Sequence, residues 1–283
     1  MSTTNPPIVA GVNGSASAQQ AVLWSAREAA RRKAPFRLVH ATVAIGGYTP
    51  VALPQTMYDA VASEGRESLR QAAESVQDLA SGVGVSTDLR TGSPAQILVA
   101  ESRAARVLVL GSRGLGGFTG LLVGSAAVAL AAHGHCPVVV VRAEHSTKKR
   151  GRPVVVGIDG SPASEAAIGF AFEQASWLGV LLVALHTWSD TIPASAVPEA
   201  VEEEEQRVLA GWQEKYPEVS VQRVFTPGRP AHSLLVQTRE AQLVVVGSRG
   251  RGGVKGMLLG STTQALLHHS ACPVAVIRSE SGH

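Results

Sequence analysis

Gly-Ser-Arg-Gly stands at Gly111–Gly114 and again at Gly247–Gly250, an offset of 136 residues. The same offset carries Pro94 onto Pro230, Gly124-Ser125 onto Gly260-Ser261, His133 onto His269 and Cys136-Pro137 onto Cys272-Pro273. Roughly half of the residues between Gly92 and Arg142 are identical to their partners, far above chance for unrelated segments. Nearer the start of each half the offset is 146: Val9–Ser15 matches Val155–Ser161, and His40 matches His186. The first copy therefore carries ten extra residues between about His40 and Gly92. Solenoid repeats have periods of ~20–50 residues, so a period this long marks a duplicated domain. The expected domains are 1–145 and 151–283, joined where charge and polarity rise around Lys148-Lys149-Arg150-Gly151-Arg152.

Composition narrows the class. Hydrophobic residues make up 45% of the 283 and charged residues 17%, enough to bury a core in each copy. Aromatics are only 4%, so that core is built from Ala, Val, Leu and Ile. A net charge of +3 without a long Lys/Arg run gives no nucleic-acid footprint. No apolar run approaches the ~18–20 residues that span a bilayer, and residues 1–7 do not resemble a signal peptide. Two cysteines, Cys136 and Cys272, are too few for a disulfide framework. A cytoplasmic protein without membrane or nucleic-acid partners is the expectation.

Each copy alternates strand and helix. In the first, Pro7–Val12 reads as a strand. Ser15 to about Lys33 reads as a helix, with Ala18, Ala21, Val22, Ala26 and Ala29 on one face and Ser15 or Ser17 as cap. Phe36–Ala41 is a second strand, followed by a Gly/Pro-rich loop (Gly46, Gly47, Pro50, Pro54) and a helix over about Met57–Ser81. Val83–Arg90, Val107–Leu110 and Pro137–Arg142 complete the strands; Pro94 to about Ala104 and Ser125–Ala132 complete the helices. Five strands alternating with four helices predict an α/β domain with a parallel sheet covered on both faces, twice over.

In such a sheet, ligands bind beyond the carboxyl ends of the strands, where the strand order reverses. The first strand ends in Gly11-Val12-Asn13-Gly14-Ser15 and the fourth in Gly111-Ser112-Arg113-Gly114. Glycines let backbone N–H groups approach an anion, and a helix opening at Ser125 adds unpaired N–H groups and a positive dipole end. Ser125 offers a hydroxyl and a helix cap. Arg113 and Arg249 are placed to add charge. The spacing Gly-x2-Gly-x9-Gly-Ser, present in both copies, reads as a cradle for a polyphosphate. It is neither a Walker A motif nor the Rossmann fingerprint.

Gly111-x2-Gly114-x9-Gly124-Ser125 and Gly247-x2-Gly250-x9-Gly260-Ser261 resemble the ATP-binding signature of universal stress proteins. Val-Gly-Ile-Asp159-Gly-Ser161 and the final Cys-Pro-Val-x-Val strands resemble that family too, over nearly the whole chain, as a tandem member of the kind common in actinobacteria. The resemblance implies sheet order 3-2-1-4-5 with ATP, carried with or without Mg²⁺, between the first and fourth strands of each domain. It also implies a regulator of stress response and growth, not an enzyme. Gly11 and Gly157 then lie beside the nucleotide. Gly111, Ser112, Arg113, Gly114, Leu115, Gly116 and Gly117 wrap the ribose and phosphates, as do Gly247, Ser248, Arg249, Gly250, Arg251, Gly252 and Gly253. Gly124-Ser125 and Gly260-Ser261-Thr262 take the phosphates. His40-Ala41 and His186 to Asp190 border the adenine. The family's usual Asp is kept as Asp159 and replaced by Asn13, which supplies no carboxylate.

Other features read as structure. His133 and His269 suit a helix C-terminus, and no surrounding donors indicate a metal. Cys136 and Cys272 read as core thiols, Glu202–Glu205 as a solvated helix face, and Trp177, Trp188 and Trp212 as packing residues. A slow ATPase and a nucleotide-independent protein-interaction module stay open as alternatives. The apolar final strands, Val138–Val141 and Val274–Ile277, predict pairing of the two copies through those edges and association into a homodimer, with regulatory proteins as further partners.

Overall fold

A computed structural model describes residues 5–42, 54–114, 123–143, 150–188, 199–251 and 258–279, with the backbone alone at 199–202. The chain divides into two compact units, Met1–Glu144 and His145–His283.

The first unit runs β1 (Ile8–Val12), α1 (Ala16–Arg32), β2 (Phe36–Thr42), α2 (Gln55–Leu79), β3 (Val85–Thr91), α3 (Pro94–Glu101), β4 (Val107–Gly111), α4 (Ser125–His133) and β5 (Val138–Val141). Every pairing among these strands is parallel, and the order is β3-β2-β1-β4-β5. The second unit repeats the plan with β6 (Val154–Ile158), α5 (Pro162–Leu178), β7 (Leu182–Trp188), α6 (Glu199–Lys215), β8 (Val221–Pro227), α7 (Pro230–Gln237), β9 (Leu243–Gly247), α8 (Ser261–His269) and β10 (Val274–Ile277). Its order is β8-β7-β6-β9-β10, again all parallel. The expected 3-2-1-4-5 order thus holds in each unit. β1 lies between β2 and β4, and the reversal falls there.

The reasons are local. Residues Val107–Leu110 and Val138–Val141 are buried throughout, because helices cover both faces of the sheet. Helices α1 and α2 pack on one face, and α3 and α4 together on the other. Ser15 caps α1 by accepting from the Ala18 N–H, as Ser161 caps α5 for Ser164. Gly14 and Gly160 precede these caps with φ of 76° and 68°, a left-handed turn that favours glycine. Both helices end in the same αL cap. Its residue is Gly179 in the second unit (φ 62°) but Lys33 in the first (φ 48°), and each cap N–H reaches back to two carbonyls of the last turn.

Several sequence readings need correction. Glu205 is buried rather than solvated: its carboxylate pairs with His186 Nδ1. Glu203 and Glu204 are exposed as expected, and the Glu202 side chain lies outside the described residues. The helix position that faces the matching histidine of the first unit is Gly65, where a Cβ would lie 3.1 Å from His40 Cδ2. Trp177 is 47% exposed, near the C-terminus of α5. Trp212 does pack, stacking with Phe172 and Tyr216. Cys272 is buried, whereas Cys136 is half-buried, with its thiol pushed up to about 12 by desolvation. Gly46, Gly47, Pro50, Lys148 and Lys149 lie outside the described residues.

Candidate functional site

At the carboxyl ends of β6 and β9 the second unit holds a cavity of about 550 Å³, within the range of small-molecule sites. Ile158, Leu185, Leu234 and Val246, from three strands and α7, and Leu259 before α8 give it apolar lining. Arg249, Gly250 and Arg251 after β9, with Gly260, Ser261 and Thr262 at the start of α8, give it polar lining. Gly157, Asp159, Thr187, Gly247 and Thr263 also line it.

The three signature glycines have different physical causes. At Gly247 a Cβ would lie 2.9 Å from both the carbonyl carbon and the Cβ of Ala163, and at Gly111 it would lie 2.5 Å from the Ala18 nitrogen and Ser17 Oγ. The first glycine therefore admits the N-terminal turn of α5 or α1 against the sheet. At Gly250 a Cβ would overlap the Asp159 carboxylate, and at Gly114 it would lie 3.2 Å from Asn13 Nδ2. The second glycine thus lets the two strand-end turns meet. At Gly260 and Gly124 a Cβ would meet protein atoms no closer than 3.5 and 3.6 Å. Packing among the described residues does not require glycine at this third position, and its backbone is extended (φ −68° and −73°), as any residue allows. What the missing side chain leaves open is the start of α8 or α4.

That helix start is also built differently from expectation. The caps are Gly260 and Gly124, not the serines, and among the described residues no side chain caps the first turn. Ser125 and Ser261 are the first helical residues. The Gly124 N–H donates to Ser112 O at 2.7 Å, and the Gly260 N–H to Ser248 O at 2.9 Å. Thr263 Oγ1 donates to Gly247 O at 2.8 Å. These bonds hold the positive end of a helix beside the strand end, a ready site for an anion.

Asp159 ties two turns together. Its Oδ1 accepts the Ser161 N–H at 3.0 Å, and its Oδ2 accepts the Arg251 N–H at 3.2 Å. It is the only carboxylate among the described residues lining the cavity. In the first unit, Asn13 Oδ1 accepts from both the N–H and the Oγ of Ser15, at 3.1 and 2.8 Å. The Ser17 hydroxyl donates to Arg113 O at 2.8 Å, and the Ser15 hydroxyl, whose one proton is shared with Asn13 Oδ1, lies 3.0 Å from the same oxygen, which joins the β1 and β4 turns without a carboxylate. Arg249 and Arg113 are exposed at these turns. Burial first and the Arg249 charge second lower the pKa of Arg278 from its ordinary value, so two positive charges act on each other here.

Most of the site residues expected from sequence come together. Gly157, Asp159, Gly247, Arg249, Gly250, Arg251, Gly260, Ser261 and Thr262 share the cavity of the second unit. Gly11, Asn13, Gly111, Arg113, Gly114, Gly124 and Ser125 stand at the matching strand ends and helix start of the first. Ser112 and Ser248 are buried, and Ser248 does not line the cavity. His186 faces away, because a strand alternates: Leu185 and Thr187 line the cavity while His186 meets Glu205 and Phe225. Ala41 holds in the first unit the strand position that Thr187 holds in the second. Leu185, Leu234 and Val246 are wall residues missed in the sequence, where they looked like ordinary core. Leu115, Gly116, Gly117, Asp190, Gly252 and Gly253 lie outside the described residues.

Fold and site define a class: a tandem of two doubly wound α/β domains, each with glycine-rich turns gathered at the reversal of strand order. The sequence model of the universal stress protein family matches residues 4–142 and again 151–278. A universal stress protein of Mycolicibacterium smegmatis is 39% identical over 289 residues, covering 98% of each chain. One of Mycobacterium tuberculosis is 39% identical over 284 residues, covering 96% of each. The crystal structure of a universal stress protein from Archaeoglobus fulgidus superposes with a TM-score of 0.76 at 20% identity, covering 98% of this chain and 99% of that one, a likeness of fold. The chain belongs to the universal stress protein family.

Proposed function

We propose that each unit binds one ATP and that the protein is a nucleotide-dependent regulator of stress response and growth. The observation that carries this reading is the cavity of mixed apolar and cationic lining at the β6–β9 switch point. Its apolar residues Ile158, Leu185, Leu234 and Val246 suit a purine, and Arg249, Arg251 and the start of α8 suit phosphates. The glycine at 260, which no contact among the described residues demands, leaves the start of α8 open. The first unit repeats the glycines, Arg113 and the uncapped helix start. Thr187 and Ala41 are the strand residues proposed to border the base.

Mg²⁺ is assigned to the nucleotide's own phosphates. Both Asp159 oxygens already accept backbone N–H groups, so its carboxylate serves first to join the turns. The same arrangement argues for binding over catalysis. Among the described residues lining the cavity, Asp159 is the one group of general-base type, and it is engaged. Homodimerisation, tested by sedimentation equilibrium, and regulatory proteins that read nucleotide occupancy complete the proposal.

The test is mass spectrometry of protein purified without added nucleotide, followed by calorimetric titration with ATP. Co-purifying ATP, or two binding events per chain, is expected. Absence of both overturns the reading in favour of a nucleotide-independent interaction module. Multiple-turnover hydrolysis above ~1 s⁻¹, inside the ordinary enzymatic range, overturns the regulator in favour of an ATPase.

A further inference from the structure

The two sites are not chemical copies of one another. The offset that superimposes the signatures pairs Arg251 with Leu115, and the first-strand offset pairs Asp159 with Asn13. In the second unit these two residues form one construction. The Arg251 N–H donates to Asp159 Oδ2 at 3.2 Å, and its Nη2 donates to Gly160 O at 3.5 Å. The guanidinium lies so close over Gly160 that a Cβ there would overlap it. Held at backbone and head group, Arg251 lines the cavity together with Arg249 and the start of α8. One of its five donors is committed to Gly160 O, and a guanidinium fork matches phosphate oxygens in pairs. The Asp159 charge that accompanies it is dispersed over two backbone N–H donors.

We infer that Arg251, positioned by Asp159, makes the second site discriminate nucleotides by the number of their phosphates, while the first unit, whose sequence has Leu115 and Asn13 at the matching positions, grades them weakly. The ligand class of the second site is thereby a nucleoside di- or triphosphate. The first site takes nucleoside mono- and polyphosphates with similar affinity. This deepens the nucleotide reading above and rests on it.

The test is calorimetric titration of the full chain with ATP, ADP and AMP, one site at a time. Gly124→Glu silences the first site and Gly260→Glu the second, each by placing a carboxylate at an anion-binding helix start. The nearest protein atoms to the new Cβ are 3.6 and 3.5 Å away. With only the second site active, affinity is expected to fall about tenfold or more from ATP to AMP, the scale of one charge-assisted pair. Arg251→Leu in that background is expected to reduce the ratio to about threefold or less. With only the first site active the ratio is already small, and grafting Asn13→Asp with Leu115→Arg is expected to raise it. The graft repeats the test should Arg251→Leu fail to fold. ATP binding with an ATP-to-AMP ratio that neither change moves overturns this inference and leaves the nucleotide reading standing. Wild-type protein that binds none of the three nucleotides overturns the nucleotide reading itself.

Discussion

Gly111 and Gly124 belong to one motif, yet alanine at each should do opposite things. At Gly111 the added methyl would lie 2.5 Å from the backbone nitrogen of Ala18 and from Ser17 Oγ, about an ångström inside contact distance. The obstacle is mostly backbone, so α1 itself must move, and with it the Ser15 and Ser17 bonds to Arg113 O. Overpacking of this kind costs about 2–3 kcal/mol. For a unit of this length that is a fall in Tm of about 7–10 °C. At Gly124 the nearest protein atom to a Cβ is 3.6 Å away and φ is −73°. There the weaker helix cap and the stiffer unfolded chain nearly cancel, a net change of less than ~1 kcal/mol. The same methyl stands at the helix start proposed to receive phosphates, so ATP affinity at the first site should fall about tenfold, or ~1.4 kcal/mol. Differential scanning calorimetry and ATP titration of both variants separate the effects. The reasoning is refuted if Gly111→Ala melts within ~2 °C of the parent, or if Gly124→Ala destabilises as much as Gly111→Ala does.

Further outcomes follow from single groups. Asp159→Ala should weaken ATP binding in the second unit more than Asn13→Ala does in the first, because the Asp159 carboxylate accepts the Arg251 N–H and so helps join the β6 and β9 turns; equal losses by calorimetry sink this. Glu205→Ala should destabilise the second unit by about 1–3 kcal/mol, since it strands the buried His186 Nδ1; an unchanged urea transition refutes it. Burial lowers the pKa of His40 from its ordinary 6.5, against a smaller opposing pull from Glu64. The unfolded chain then binds the extra proton first, so this contribution to stability is full above the ordinary value and is lost as pH falls through it. His40→Gln should flatten the decline of the urea midpoint between pH 7.5 and 5, and a slope left intact by the substitution argues against the reasoning.

The strands and their glycine-rich turns were legible because Val/Leu/Ile runs and glycines report directly on burial and backbone, whereas the strand order came from the family resemblance. Ser15 as a cap and Pro94 as a helix opener were readable for the same local reason. What stayed hidden depends on partners distant in sequence. Four consecutive glutamates look solvated, but helix periodicity turns Glu205 inward onto His186. His186 stands beside a cavity residue in sequence, yet strand alternation sends it to the opposite face. The glycines of the signature were visible, but not their separate causes. Only the α1 turn against Gly111, and the open space at Gly124, show that one serves packing and the other leaves room for a ligand.

The αL caps at Lys33 and Gly179 show what a duplication offers beyond a second site. The two helices end identically, with cap N–H groups directed to Ala29 and Ala30 in one unit and to Ala175 and Ser176 in the other. Only the residue that bears the left-handed backbone differs, and a side chain there costs roughly 1 kcal/mol. Each unit is thus a repair manual for its twin: where backbones coincide and residues disagree, the less strained solution is already written 146 positions away.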